Sequence, residues 1–153
     1  MPLYGAGMRL EHRVRTSATP SQVWSLLGDP SGWPTFELLL RGVRGRVARV
    51  SSGQHLMGLA RLSLLQIPVD VVEVVPEERL VLLVHTAPGL RERLAFDLTP
   101  AVPRGTDIRL TVVVEGAFAL PAALPLWLAN GLTARVLAAR TDRQARIDRR
   151  AAA

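Results

Sequence analysis

Three polar residues fall, by strand or helix periodicity, on otherwise apolar faces: His12, Glu73 and Arg135. Each type could do chemistry from such a position. A histidine lining a pocket titrates near neutral pH and can move a proton. A guanidinium at Arg135 could hold an acidic or carbonyl-bearing ligand, or polarise a carbonyl during an aldol-type ring closure. Glu73 would be an inward carboxylate. Each also has a plainer reading: His12 as a hydrogen-bonded residue near a strand end, Arg135 as a side chain that reaches the rim or pairs with Glu73. Other chemistries find no support. Histidines at 12, 55 and 85 offer no close spacing for a metal, so no metal site is expected. No serine sits in a nucleophile elbow, and the absence of cysteine removes thiolate chemistry and disulfides. Gly5-x-Gly7 and Gly42-x-x-Gly45 lack the strand, helix and lysine of a phosphate loop, and Glu77-Glu78 reads as a solvated turn pair. No cofactor is expected.

The elements that must position these residues follow from the same periodicity. Met8, Leu10, His12 and Val14 alternate with Arg9, Glu11, Arg13 and Arg15, a half-buried strand with one charged face. Ile67, Val69, Val71 and Val75 share parity with Glu73, while Asp70 points the other way. Arg135 lies midway along Leu120 to Arg150, the one stretch long enough for a sustained helix. Projection at about 100° per residue groups Asn130, Thr133, Arg140, Gln144 and Asp148 on one side. Leu124, Leu128, Leu132, Val136 and Ala139 fall opposite, with Arg135, Asp142 and Arg146 inside that apolar arc.

Between these elements, Ser17 or Thr19 can cap a short helix with Pro20 in its first turn and Val23, Trp24, Leu26 and Leu27 at helical spacing. Gly28-Asp29-Pro30 stops it, and a second short turn passes through Gly32-Trp33-Pro34 to Phe36. Further strands are expected over Arg41 to Val50, over Gln54 to Leu64 with Leu56, Gly58, Ala60, Leu62 and Leu64 inward, and over Leu80 to Thr86. Two more carry Leu94, Phe96, Leu98 and Ile108, Leu110, Val112, Val114. Turn signals separate them at Ser51-Ser52-Gly53, Pro76-Glu77-Glu78, Pro88-Gly89 and Pro103-Arg104-Gly105. Seven strands without β-α-β alternation predict an α+β layout with an antiparallel sheet rather than a doubly wound parallel one.

At 153 residues the chain is expected to form one domain over 1–153, with 1–7 flexible and 151–153 as a tail. All 19 basic residues are arginine, and the net charge is +6. That surplus is concentrated after residue 134, where six Arg face two Asp; cations there complement a helix C-terminus. With 5% aromatics and no stacking motif, no nucleic-acid partner is expected. The opening MPLYGAGMRLEHRV has no basic head before an apolar run, so it does not read as a secretory signal. The apolar run Ala117 to Ala129 holds two prolines and is short for a membrane span, so stable membrane insertion is not expected and the cytoplasm is the default location.

Taken in order, these pieces resemble the START/polyketide-cyclase superfamily, the SRPBCC proteins that include the birch-pollen allergen. TPSQVWSLLGDPSGWPTF after a first strand is similar to that family's opening, where a Val-Trp helix precedes an Asp-Pro turn and another Trp. VVEVVPEERL, RERLAFDLTP and GTDIRLTVVVEG follow as its later strands, and together they cover nearly the whole chain. The resemblance implies a helix-grip fold: a curved seven-stranded antiparallel sheet wrapped around the long C-terminal helix, with two short helices after the first strand. It also implies a hydrophobic cavity between sheet and helix. Family members bind lipids, sterols, quinones or polyketides, and some cyclise or dehydrate aromatic polyketides with arginine, tyrosine and hydroxyl groups. This chain departs from that set, since its only tyrosine is Tyr4.

Parity and family geometry together place Trp33 and Phe36 at the pocket mouth, with Leu94, Phe96, Val112, Leu128 and Leu132 inside and Arg135 facing the cavity. The expected function is binding of a hydrophobic small molecule (lipid, quinone or polyketide-like). The alternatives are a polyketide cyclase or dehydratase using Arg135, His12 or Glu73, and a protein- or membrane-interaction module built on residues 117–129. Oligomeric state is left open.

Overall fold

The computed structural model describes residues 7–44 and 48–153. Seven strands form one antiparallel sheet in the order β1-β7-β6-β5-β4-β3-β2. They are β1 (Met8–Thr16), β2 (Leu40–Val43), β3 (His55–Ala60), β4 (Gln66–Val75), β5 (Arg79–Ala87), β6 (Leu90–Pro100) and β7 (Thr106–Glu115). Helix α1 (Pro20–Leu27) and a 3-10 turn (Pro30–Thr35) follow β1, and α2 (Ala119–Ala151) follows β7. This is the helix-grip α+β arrangement. Only β1 returns across the sheet, to pair with β7; all later strands pair with their neighbours in sequence.

Local chemistry explains the short helices. Thr19 caps α1: its hydroxyl accepts from the Gln22 N–H at 3.2 Å, and the Gln22 side chain accepts from the Thr19 N–H at 2.9 Å. Asp29 accepts from the Ser31 N–H at 3.1 Å to open the 3-10 turn. Trp33 is locked against α1 by its indole N–H, which donates to the Leu27 carbonyl at 2.8 Å.

Two expected strands prove shorter. Of Arg41 to Val50, β2 ends at Val43, and residues 45–47 lie outside the described residues. Strand β3 ends at Ala60, and the following loop leaves Leu62 and Leu64 at 89% and 93% exposure rather than inward. Alternation of apolar residues cannot distinguish a strand from a loop that displays leucines to solvent.

A third difference reverses the assignment of Glu73. A register shift between Val71 and Glu73 marks a bulge in β4. The extra residue turns Val72 outward and brings Val74 against the core, so Glu73 leaves the inward row. It pairs instead with Arg79 at 3.3 Å on the outer surface of the sheet.

Helix α2 is 33 residues long and crosses the sheet, packing on β1 and β7. Its buried face is Leu126, Asn130, Thr133, Ala134, Leu137, Ala138, Thr141 and Ala145, at three- and four-residue spacing. Small residues dominate it because the backbone lies close to β1: a Cβ at Gly131 would stand 2.8 Å from the His12 ring. The predicted apolar arc therefore points outward. Leu124, Leu128 and Leu132 are exposed, as is Leu120. This outward row gives α2 a mean hydropathy of 1.2 over 18 residues, enough by length and composition alone for a membrane span, with a third of that window buried against the protein.

Candidate functional site

Beside α2, on the β4–β6 side of the sheet, lies a cavity of about 100 Å³. Its apolar wall is built by alternate residues of three adjacent strands: Ile67 and Val69 from β4, Leu82 and Val84 from β5, Leu94 and Phe96 from β6. Trp33, Phe36 and Leu40 close one side, and Leu126 and Ala129 of α2 the other. Side chains that alternate on neighbouring strands at equal register converge on one face, and the pairing of Leu82 with Leu94 aligns these rows. The volume is modest. An engineered cavity of about 150 Å³ accepts a benzene ring, and pockets for drug-sized ligands run to roughly 300–1,000 Å³. At this volume the cavity is on the scale of a single ring and well short of a sterol or polyketide chain.

One end of the cavity is polar. Glu92 in β6 is 6% exposed; its Oε2 accepts from the Thr86 hydroxyl at 2.5 Å and its Oε1 from the Asn130 amide at 3.0 Å. Glu37, in the turn before β2, accepts from the Thr133 hydroxyl at 2.9 Å and from the Leu39 N–H at 3.1 Å. Glu37, Thr86, Glu92, Asn130 and Thr133 all line the cavity, as does Leu39. Among the described residues, no lysine, arginine or histidine lines it. Burial raises the Glu37 pKa above the ordinary carboxylate value, and the negative charge of Glu92 raises it further, while the hydrogen bonds from Leu39 and Thr133 oppose this. Two carboxyls on an apolar wall, with no counter-ion among the described residues, are costly to maintain, which marks this end as a candidate for function rather than for stability.

The residues singled out from the sequence divide accordingly. Trp33, Phe36, Leu94 and Phe96 line the cavity. Val112 is fully buried in the core between Leu10 and Leu94 but is not part of the lining. Leu128 and Leu132 are 57% and 47% exposed and face solvent, because two helical residues beyond the buried Leu126 and Asn130 amount to a rotation of about 200°. Arg135, two residues beyond the buried Thr133, is exposed for the same reason and does not reach the cavity. His12 lies under α2 rather than in the cavity. Its ring is tilted 39° against Trp127 at 5.4 Å, and its buried Nε2 has no hydrogen-bond partner among the described residues. Burial lowers its pKa; the Trp127 backbone opposes that and the Arg135 charge adds to it. Tyr4 lies outside the described residues.

Sequence reasoning missed Glu92, Glu37, Asn130 and Thr133. The signal for Glu92 was present: it shares the parity of Leu94 and Phe96, one step upstream. Asn130 and Thr133 were visible but placed on the solvent side by the inverted helix projection. Nothing in the sequence pointed to Glu37, whose position depends on how the 3-10 turn folds back. Across the sheet, neighbouring strands also gather His55 and His85 around Asp70, at 2.6 Å and 3.1 Å. Hydrogen bonds from both lower the Asp70 pKa, but the cluster is largely exposed and lies apart from the cavity.

No protein-family model and no curated protein matches the sequence. Solved structures do match the fold. A Mesorhizobium loti protein aligns with a TM-score of 0.73 at 19% identity, over 89% of this chain and 98% of that one. A Nitrosospira multiformis protein aligns at 0.73 and 13% identity, over 91% and 99%. A START superfamily protein from Mycobacterium smegmatis aligns at 0.67 and 15% identity, over 89% and 98%. At these identities the likeness is one of fold alone, the helix-grip architecture.

Proposed function

We propose that this protein binds a small hydrophobic molecule in the cavity between sheet and α2. The observation that carries the reading is the cavity itself: an apolar chamber with converging aromatic and aliphatic walls and a few polar groups gathered at one end, the usual composition of a ligand site. Passive binding is favoured over polyketide cyclisation on two grounds. The three residues considered for that chemistry, Arg135, His12 and Glu73, lie outside the cavity, and the cavity in its present form is small for a poly-ketone chain. By size alone, a single-ring molecule fits this space better than a long-chain lipid. A cytoplasmic location belongs to the same proposal.

The test is a thermal-shift titration with toluene and with a short-chain quinone, on the natural protein and on Ala129→Phe. A ring added at position 129 would fill the cavity from the α2 side. Ligand at about 100 times its Kd should stabilise the natural protein by about 2.7 kcal/mol and leave the filled variant unchanged. Equal responses from both proteins, or none from either, would refute the cavity as the binding site.

A further inference from the structure

We propose that the ligand carries a protonated amine, seated against Glu92 and Glu37 at the polar end of the cavity with its apolar body among Val69, Leu82 and Phe96. The inference rests on the cavity being a ligand site and adds the chemistry of the ligand's head group. It follows from an inventory of hydrogen-bond donors. Four lining residues have side-chain donors: Trp33, Thr86, Asn130 and Thr133. Each is already engaged. The Trp33 N–H donates to the Leu27 carbonyl. Thr86 gives its hydroxyl proton to Glu92. Asn130 uses one amide proton on Glu92 and the other on the Leu126 carbonyl at 2.9 Å. Thr133 has one hydroxyl proton, placed between Glu37 and the Ala129 carbonyl at 3.0 Å.

What remains at the polar end is acceptor capacity. A carboxylate holds about four lone-pair sites, and the bonds above occupy only part of them at each glutamate. A carboxylate or phosphate head group would meet two carboxyls and, among the described lining side chains, no free donor. A purely hydrocarbon ligand would exclude water from both carboxyls and give nothing back. An ammonium group offers up to three donors and the missing positive charge, and hydrogen bonds of this charged kind are among the stronger ones. Thr86 and Asn130 grip the two oxygens of Glu92 separately, so the carboxylate is oriented without being neutralised. The raised Glu37 pKa is consistent with the same deficit, since both of its causes, burial and the Glu92 charge, are offset by a cation placed there.

The test is calorimetric titration with four molecules of one shape: benzylamine, benzyl alcohol, toluene and benzoate. Benzylamine should bind about tenfold or more tighter than toluene, the worth of one charged hydrogen bond. Benzoate should bind weakest. Glu92→Gln, which can still accept from Asn130 and donate to the Thr86 hydroxyl, should bring benzylamine to within about threefold of toluene. If Glu92→Gln fails to fold by circular dichroism, Glu37→Gln replaces it, with the same expected loss of preference. Toluene binding with no preference for the amine, or benzoate binding as well as benzylamine, overturns the amine assignment and leaves the cavity reading standing. Binding of none of the four overturns both.

Discussion

Helix α2 meets the sheet through polar side chains at two places, around Thr141–Asp142 and around Asn130–Thr133, and the electrostatic outcomes are opposite. At the first, Asp142 accepts from the Ser17 N–H at 2.5 Å and from the Thr16 hydroxyl at 3.2 Å, while Thr141 bonds Thr16 at 2.9 Å. Hydrogen bonding from Ser17 and Thr16, with the Arg146 charge, lowers the Asp142 pKa. Two hydrogen bonds and the Arg146 charge outweigh the cost of partial burial, and the helix is riveted to the segment that leads into α1. At the second, Asn130 and Thr133 serve two carboxyls on an apolar wall, and the Glu37 pKa rises. One cluster favours the ionised acid and holds the fold together; the other penalises it and leaves acceptors facing a cavity. The lesson is that a carboxylate's role is set by the balance of donors and burial around it, not by its nearness to the same helix.

Three substitutions would break or sharpen this contrast. The largest effect is expected from Asp142→Ala, which strands the Ser17 N–H and the Thr16 hydroxyl and should cost about 2–3 kcal/mol in urea unfolding at pH 7. Because the folded pKa of Asp142 lies below its ordinary 3.8, its stabilisation is complete above that value and is lost as pH falls through the folded value. The gap between natural protein and variant should therefore narrow in acid; a gap that widens would contradict the rivet.

Glu37→Gln should act with the opposite sign. The folded pKa of Glu37 lies above 4.5, so the ionised form is penalised above the folded value and the penalty fades as pH falls toward 4.5. The variant should be more stable than the natural protein by on the order of 1 kcal/mol at pH 8 and indistinguishable from it near pH 4.5. Parallel melting curves at the two pH values would show that Glu37 is not strained. The smallest effect belongs to Leu128→Ser on the outer row of α2, within about 0.5 kcal/mol, because that side chain is exposed. A loss of several kcal/mol would mean that the helix presents its leucines to the core after all.

Glu92 and Leu128 show what could be read before the structure was known. The strand carrying Leu94 and Phe96 was legible because an antiparallel strand with one buried face must alternate, and Glu92 sat on that row in plain view. Leu128 was misread because a helix projection ranks faces by hydropathy, whereas close approach to β1 selects for small residues such as Gly131 and Ala134. Glu73 was misread because one bulged residue reverses parity, and a bulge leaves no mark in hydropathy.

The amino-acid sequence by itself determined the order of elements, the α+β class, the capped helix at Thr19 and the apolar strand faces, since these depend on interactions within a few residues. The tertiary structure alone decided which face of α2 is buried, that Arg135 stays outside, and that Glu37, Glu92, Asn130 and Thr133 meet. Those outcomes depend on how closely one backbone can approach another and on side chains that lie nearly a hundred residues apart, such as Glu37 and Thr133. No local pattern encodes such a distance.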